Sequence, residues 1–378
     1  MSPSKNKSPL VWVEVDLAAL RQNLRVLRSS LPDSSVGVLA IVKADAYGHG
    51  MSAISKALWA EGVRFFGVAN AEEALLLRKV LPKARILAFG PFHPSQLSFY
   101  IAQKITPTLS SLEDALLLSR ALKGKKVFSV HVKIDTGMGR LGLSCSDVSS
   151  FFRRMRSMPK IDIEGVYTHF SSADDENTEP TKIQLELFAQ NLKKIHSLGF
   201  TPRLIHASNS MGALRFPEAH FNLIRPGLLL YGLKSSPRVR LPAGMRPVMS
   251  WKTKVSFLKK FVAGQTVSYG RTFKVKKNTL IAALPVGYSH GYRVVFSNKS
   301  CVLVRGHRCP IAGRVTMDQI LVDVGHVSGV RRWEEAVLIG RQGQERVTAE
   351  ELADLAETIP YEIVCAVHSR VPRIYLKS

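Results

Sequence analysis

Lys43, Lys133, Asp135, His169 and Arg225 stand at or near the C-terminal ends of short apolar runs, and chemistry is concentrated there. A lysine amine can bind a carbonyl covalently and can then act as a base. An imidazole exchanges protons near neutrality, whereas a guanidinium keeps a fixed positive charge. Spacing adds a constraint. His131, Lys133 and Asp135 alternate with Val130, Val132 and Ile134, so on a strand the polar three share one face. The apolar face suits packing under helices, and the polar face must then point into a barrel near its mouth. Polar groups are costly there unless paired. Tyr167 and His169 repeat the same parity. Alone, a strand-end lysine reads as a surface charge and a lone histidine as hydrogen-bonded structure. Five such groups on one rim read as a site.

Two later segments point to a second chemical group. His206-Ala-Ser-Asn209-Ser210 precedes a short helical pattern, and Arg225-Pro-Gly227-Leu228 follows the last apolar run. Hydroxyls, glycine and backbone N–H groups in such places suit a phosphate, and barrels commonly hold phosphates at their last two loops. The spacing implies a phosphorylated ligand and does not say which.

The elements that must position these residues are legible as a change of rhythm. Strand patterns at 37–43, 65–69, 85–89, 105–109, 127–135, 163–169, 204–207 and 222–225 alternate with helical patterns such as 72–81, 112–122 and 183–198. Thr181 and Gln184 read as a capping box for the last of these, and Gly199 as its stop. Eight strands with seven intervening helices predict a (β/α)8 barrel of the TIM type. A Rossmann sheet is disfavoured because no G-x-G-x-x-G follows the first strand. The expected division is a barrel with an N-terminal extension over 10–234, then a linker and a mostly β C-terminal domain over 235–378. The linker, 235–247, is proline-rich and basic. Beyond it, runs at 251–257, 280–285, 301–304 and 319–322 alternate in the manner of strands. One late helix is expected at 349–357, opened by Thr348 and Glu351.

Bulk composition excludes several classes. No apolar stretch is long enough to span a membrane. The N-terminal pair Lys5 and Lys7 precedes an apolar patch, but Glu14 and Asp16 break it and no small-residue cleavage site follows, so an export signal is not expected. Four scattered cysteines have neither disulfide-framework nor metal spacing, which fits a reduced cytoplasm and no metal site. The net charge of +24 favours contact with polyanions. Its densest clusters, at 123–126, 153–156 and 274–277, carry no nucleic-acid motif, so a basic solvated surface is expected, with no nucleic-acid or membrane partner.

The segment Lys43-Ala-Asp-Ala-Tyr47-Gly-His-Gly50 resembles the cofactor-lysine motif of bacterial alanine racemases. Further matches follow in family order: Lys133-Ile-Asp135-Thr-Gly-Met-Gly139-Arg140, Tyr167-Thr-His169, His206-Ala-Ser-Asn209-Ser210 and Ile224-Arg225-Pro-Gly227. Gly287-Tyr288, Met317-Asp318-Gln319 and Tyr361-Glu362 continue the series, so the resemblance spans nearly the whole chain. It implies a pyridoxal 5'-phosphate enzyme, a fold-type III barrel plus β domain, that interconverts L- and D-alanine as a homodimer with shared active sites. D-alanine for cell-wall peptidoglycan is the implied product.

By the same resemblance Lys43 carries the cofactor and is the base on one face, and Tyr288 of the partner subunit is the base on the other. Tyr47, Ser210, Gly227 and Tyr361 would hold the phosphate, with Leu228 contributing backbone and Asn209 beside the cofactor. Arg225 would face the pyridine nitrogen. A free phenol titrates near 10, so Tyr288 needs help, and His169 would link it to Arg225. Arg140 would pair with the cofactor's phenolic oxygen and the substrate carboxylate, and the Met317 N–H would complete carboxylate binding. Lys133 stands where many members carry a carbamylated lysine. Departures are Met211, where a smaller residue is usual, and the tail His368-Ser-Arg370-Val-Pro-Arg373. A serine or broad-specificity racemase uses the same machinery, because small pockets separate methyl from hydroxymethyl weakly. A non-catalytic pyridoxal-phosphate-binding protein on this barrel would lack the β domain and Tyr288.

Overall fold

Apolar runs flanked by helices on both sides form the parallel strands of a barrel. In a computed structural model, Gly37–Ile41, Phe65–Val68, Arg85–Ala88, Thr106–Leu109, Phe128–Asp135, Ile161–Tyr167, Leu204–His206 and Leu223–Ile224 are its eight strands. Neighbours in sequence pair in parallel, and the last pairs with the first. The seam between Leu204–His206 and Leu223–Ile224 is closed less regularly. Asn222 N–H donates to the Ile205 carbonyl (3.4 Å) and its side-chain oxygen accepts from Ile205 N–H (2.8 Å). The structure describes residues 9–376 except Lys123, Lys125, Pro237 and Arg238. Lys5 and Lys7, two lysines of the 123–126 cluster and part of the expected linker therefore lie outside the described residues.

All eight strands fall where the apolar runs place them, with ends within two residues of the expected bounds. The trimming matters at three points. Lys43, His169 and Arg225 stand just past their strands, in the loops that shape the barrel mouth. Helices Ala71–Val80 and Leu112–Ala121 between the strands are capped by the residue just ahead of them: Asn70 accepts from Glu73 N–H (3.0 Å) and Ser111 from Asp114 N–H (3.1 Å). The box expected at Thr181 and Gln184 is not a cap. Helix Glu179–Ser197 begins earlier, because Pro180 is preset for a first turn. Thr181 is buried, and Gln184 instead accepts from Ser171 N–H (2.9 Å) and donates to the His169 carbonyl (3.1 Å). Thr348 does cap its helix, Ala349–Leu355, accepting from Glu351 N–H (3.0 Å). A second late helix, Pro360–Cys365, was not expected.

The C-terminal part is mostly β, and its main sheet recruits the start of the chain. Val11–Asp16, counted with the barrel on sequence grounds, pairs antiparallel with Met249–Lys254 and parallel with Arg373–Leu376. A separate three-stranded sheet joins Phe257–Phe261, Thr279–Leu284 and Ile320–Asp323. The last two are antiparallel neighbours, so the turn after one and the turn before the other lie side by side. One continuous apolar core runs through both parts. Among the described residues no helix is long and apolar enough to cross a membrane.

The barrel interior is tight where Phe128–Asp135 and Ile161–Tyr167 meet. A Cβ on Gly165 would lie 2.5 Å from the His131 ring, whose residue is fully buried. Gly165→Ala should therefore cost about 1–3 kcal/mol of stability through overpacking. Urea unfolding of the variant measures this, and an unchanged midpoint would contradict the packing described.

Candidate active site

The Lys43 segment is held in an expensive conformation. Lys43 opens a single turn, Lys43–Tyr47, in which Ala44, Asp45, Ala46 and Tyr47 have φ of 52°, 52°, 56° and 54°. Left-handed geometry costs an L-residue about 1–2 kcal/mol. Neighbouring groups over-determine it. Ala44 N–H donates to Glu73 (2.7 Å), whose other oxygen accepts from Ala69 N–H (2.7 Å). Asp45 accepts from Met51 N–H (2.7 Å), and His49 Nδ1 lies 2.9 and 2.8 Å from the Ala46 and Tyr47 carbonyls. Gly48 has φ of 76°, and a Cβ there would lie 2.4 Å from the Val364 carbonyl oxygen. Arg373 donates to the Gly48 carbonyl (3.0 Å). Helix Pro360–Cys365 and the final strand thus clamp this turn onto the barrel.

Around Lys43 the mouth is positively charged. Desolvation lowers the Lys43 amine first, and Arg140 lowers it further, although the side chain is still open to solvent at the rim. Lys133 is 4% exposed, and burial, then Arg140 and Arg225, push its amine down to about 8. Asp135 is a bracket rather than a reacting group. One of its oxygens accepts from Gly137, Met138 and Gly139 N–H, and the other from Arg140 N–H. Burial pulls its carboxyl up, but those four bonds, Gly137's first, hold it below the ordinary value. Asp135 therefore fixes the loop that delivers Arg140 to the mouth.

Arg225 is 3% exposed and has no carboxylate partner among the described residues. Its guanidinium donates to the Thr168 and Ala207 carbonyls (2.8 and 2.9 Å), to His206 Nδ1 (2.9 Å) and to His169 Nδ1 (3.2 Å). Burial lowers its own pKa to about 10. Burial first, then the Arg225 charge, holds both imidazoles well below the usual histidine range. Guanidinium cannot accept, so each Nδ1 carries the lone pair and each proton sits on Nε2. His206 Nε2 then donates to His131 Nδ1 (2.8 Å), which places the His131 proton on Nε2, 3.7 Å from Glu164.

The residues expected to hold phosphate meet at one place. Ser210 Oγ accepts from Gly227 N–H (2.9 Å) and Leu229 N–H (3.3 Å). A Cβ on Gly227 would lie 2.5 Å from the Tyr47 hydroxyl, and the Tyr47 and Tyr361 rings are 5.7 Å apart. Burial pushes both phenols up, Tyr361 to about 12, so they stay neutral donors. Asn209 caps the short helix Ser210–Arg215, accepting from Gly212 N–H (2.9 Å). Tyr167 stacks on His206 (4.7 Å) and reaches Thr108 (3.0 Å). An amine, a fixed cation and a cluster of neutral hydroxyl and amide groups suit a cofactor with an aldehyde at one end and a phosphate at the other.

Two expected residues are not part of this group within the chain. Tyr288 (45% exposed) and Met317 (54% exposed) stand on the adjacent turns of the three-stranded sheet. Tyr288 N–H donates to the Thr316 carbonyl (3.0 Å) and Ser289 N–H to that of Met317 (3.0 Å). Among the described residues no hydrogen bond joins either to the barrel mouth. Sequence reasoning missed Glu73, a helix residue whose two backbone acceptor roles leave no local signal, and the link from His131 to His206.

A parallel barrel whose mouth gathers an amine, a buried guanidinium and neutral histidines, with a β domain clamped onto it, defines an enzyme of the amino-acid racemase class. Models of the alanine racemase N-terminal and C-terminal domains match residues 15–235 and 248–375. The alanine racemase of Symbiobacterium thermophilum is 41% identical over 367 residues, covering 96% of each chain. The solved alanine racemase of Bacillus anthracis with bound L-Ala-P superposes with a TM-score of 0.92 at 34% identity, covering 98% of this chain and 96% of that one. That of Bartonella henselae, with covalently bound pyridoxal phosphate, gives 0.89 at 29% identity, covering 98% and 100%. The chain belongs to the alanine racemase family, enzymes that interconvert L- and D-alanine.

The Lys133 environment sets a pH dependence. With the folded pKa below the unfolded value, the folded state holds fewer protons between about 8 and 10.5. The burial penalty is full below pH 8 and is relieved as pH rises through that window. In CO2-free buffer, the urea midpoint of the parent relative to Lys133→Met should rise from pH 8 to 10. Parallel curves would contradict the buried amine.

Proposed function

We propose that the chain racemises alanine with pyridoxal phosphate, using one base from each of two subunits. The observation that carries this reading is the division just described: Lys43 stands in the mouth, whereas Tyr288 is displayed on an exposed turn of the same chain's β part. When bound, the cofactor supplies an electron-withdrawing conjugated system that acidifies the α-carbon of an attached amino acid. The Lys43 amine, lowered by desolvation and Arg140, holds the cofactor and moves a proton at one face. Tyr288 of the partner subunit acts at the opposite face. His169 presents its Nε2 proton to that phenol and stabilises it when deprotonated.

Arg140 pairs with the substrate carboxylate. The Met317 N–H, which has no partner among the described residues, completes that site from the second subunit. Arg225 would face the ring nitrogen of the bound cofactor, where its fixed positive charge would disfavour a proton and so favour return of the proton to the α-carbon. Tyr47, Ser210, Gly227, Leu228 and Tyr361 hold the phosphate, with Asn209 setting the turn that presents Ser210. Lys133 is the residue for carbamylation. An amine that titrates near 8 offers a neutral fraction to CO2, and the product anion beside Arg140 replaces repulsion with attraction. A 13C carbamate resonance from labelled bicarbonate, absent in Lys133→Met, tests that modification. Four free cysteines agree with a reduced cytoplasm, where D-alanine would enter peptidoglycan synthesis.

Incubation of L-alanine in D2O should yield α-deuterated D-alanine with the parent enzyme. Lys43→Ala and Tyr288→Phe should each be slowed by orders of magnitude. Mixed dimers of the two variants should regain activity, because each contains one complete composite site. Silence after demonstrated subunit exchange would overturn the shared site, and deuteration without inversion would overturn racemisation.

A further inference from the structure

The face of the barrel opposite the active site carries a built basic cleft that the racemisation chemistry does not use. Six of the eight strands are entered through a cation within two residues of their start: Arg64, Lys83, Lys104, Lys126, Lys160 and Arg203. All but the half-buried Lys160 are exposed. Between the first strands and the seam this rim opens into a cleft of about 640 Å³, lined among others by Arg28, Arg64, Arg85, Ser34 and Ser35.

The three arginines are held in place. Arg28 donates to the Glu61 carbonyl (2.8 Å), and Arg64 donates to those of Trp59 (2.7 Å) and Val63 (3.1 Å), all at the end of helix Met51–Ala60. Arg64 also lies over the Trp59 ring at 4.2 Å, and Arg85 over the Phe65 ring at 4.4 Å. Arg85 pairs with Glu164 (2.8 Å). Neither Arg28 nor Arg64 has a carboxylate partner among the described residues. Nearby acids are committed elsewhere: Glu61 to Arg21 and Arg25, Asp162 to Arg203, and Asp33 to Ser35. Arg28 spends one nitrogen on one carbonyl and Arg64 one nitrogen on two, and each keeps the rest of its fork, a geometry that matches phosphate oxygens. The cationic rim raises the local concentration of anions around the cleft.

We infer that this cleft binds a compact phosphate-chain anion, either an inorganic oligophosphate or the polyphosphate of a nucleotide, on the side of the barrel away from catalysis. Pre-positioned guanidinium groups, the Ser34 hydroxyl and open access favour a multivalent anion over a monovalent one, while the Ser35 hydroxyl donates to Asp33. The volume suits a few linked phosphate groups rather than a nucleic-acid strand.

The test is calorimetric titration of the cofactor-loaded enzyme with pyrophosphate at fixed ionic strength, repeated with a nucleoside triphosphate. Saturable binding at one site per chain is expected, undiminished by saturating alanine. Arg28→Gln with Arg64→Gln keeps a donor for each carbonyl and removes both charges. It should weaken binding about tenfold or more while leaving racemisation and the melting temperature near parental values. Equal affinity for both probes assigns recognition to the phosphates alone, and tighter triphosphate binding adds the nucleoside. Lack of saturable binding, binding abolished by alanine, or parental affinity in the double variant would each overturn the site. If that variant is destabilised, Arg28→Lys with Arg64→Lys replaces it. Retained charge without the fork should then give intermediate affinity, and parental affinity would again overturn the proposal.

Discussion

A guanidinium buried without a carboxylate partner among the described residues is the interaction around which the barrel mouth is arranged. Arg225 is compensated by two main-chain carbonyls and two imidazole nitrogens, all neutral. Leaving such a charge unpaired in the interior would cost several kcal/mol, so its acceptors cannot be exchanged freely. Because the cation only donates, it dictates the tautomers of His169 and His206, and through His206 that of His131. Gly165 then follows from the space the His131 ring takes. The direction of the proton on His169, on His206 and on His131 thus has one cause.

The second constraint is mechanical. Four successive left-handed residues after Lys43 would not persist in an isolated peptide, and beyond the local contacts of His49 and Met51 three clamps on them come from distant parts of the chain. Glu73 comes from helix Ala71–Val80, the Val364 carbonyl from the late helix, and Arg373 from the last strand. The β part therefore does more than display Tyr288 on an exposed turn. It also locks the cofactor lysine of its own barrel and brings Tyr361 to Tyr47. Strand Val11–Asp16 ties the start of the chain into the same sheet.

Barrel strands were legible because their apolar runs are bounded by helix caps such as Asn70 and Ser111, and those boundaries are local. Lys133, Arg140, Ser210 and Gly227 were legible through motif order as well. The left-handed turn was not, since alanine, aspartate and tyrosine give no signal for positive φ, and only Gly48 hints at it. The cap assigned to Thr181 failed because Pro180 starts the helix one turn earlier and the apolar pattern resumes only later. Pairing of Val11–Asp16 with Arg373–Leu376 joins segments some 360 residues apart, about which local rhythm is silent. Glu73 sits in the first turn of its helix, where an acid is ordinary, so its residue type alone carries no signal of its second role.

The most direct measurement of the central constraint is 15N NMR of the histidines in cofactor-loaded enzyme at neutral pH, assigned with His169→Gln and His206→Gln. Neutral rings with Nδ1 unprotonated and Nε2 protonated are expected for both residues. An imidazolium at either position, or a proton on the nitrogen that faces Arg225, would contradict the arrangement of the site.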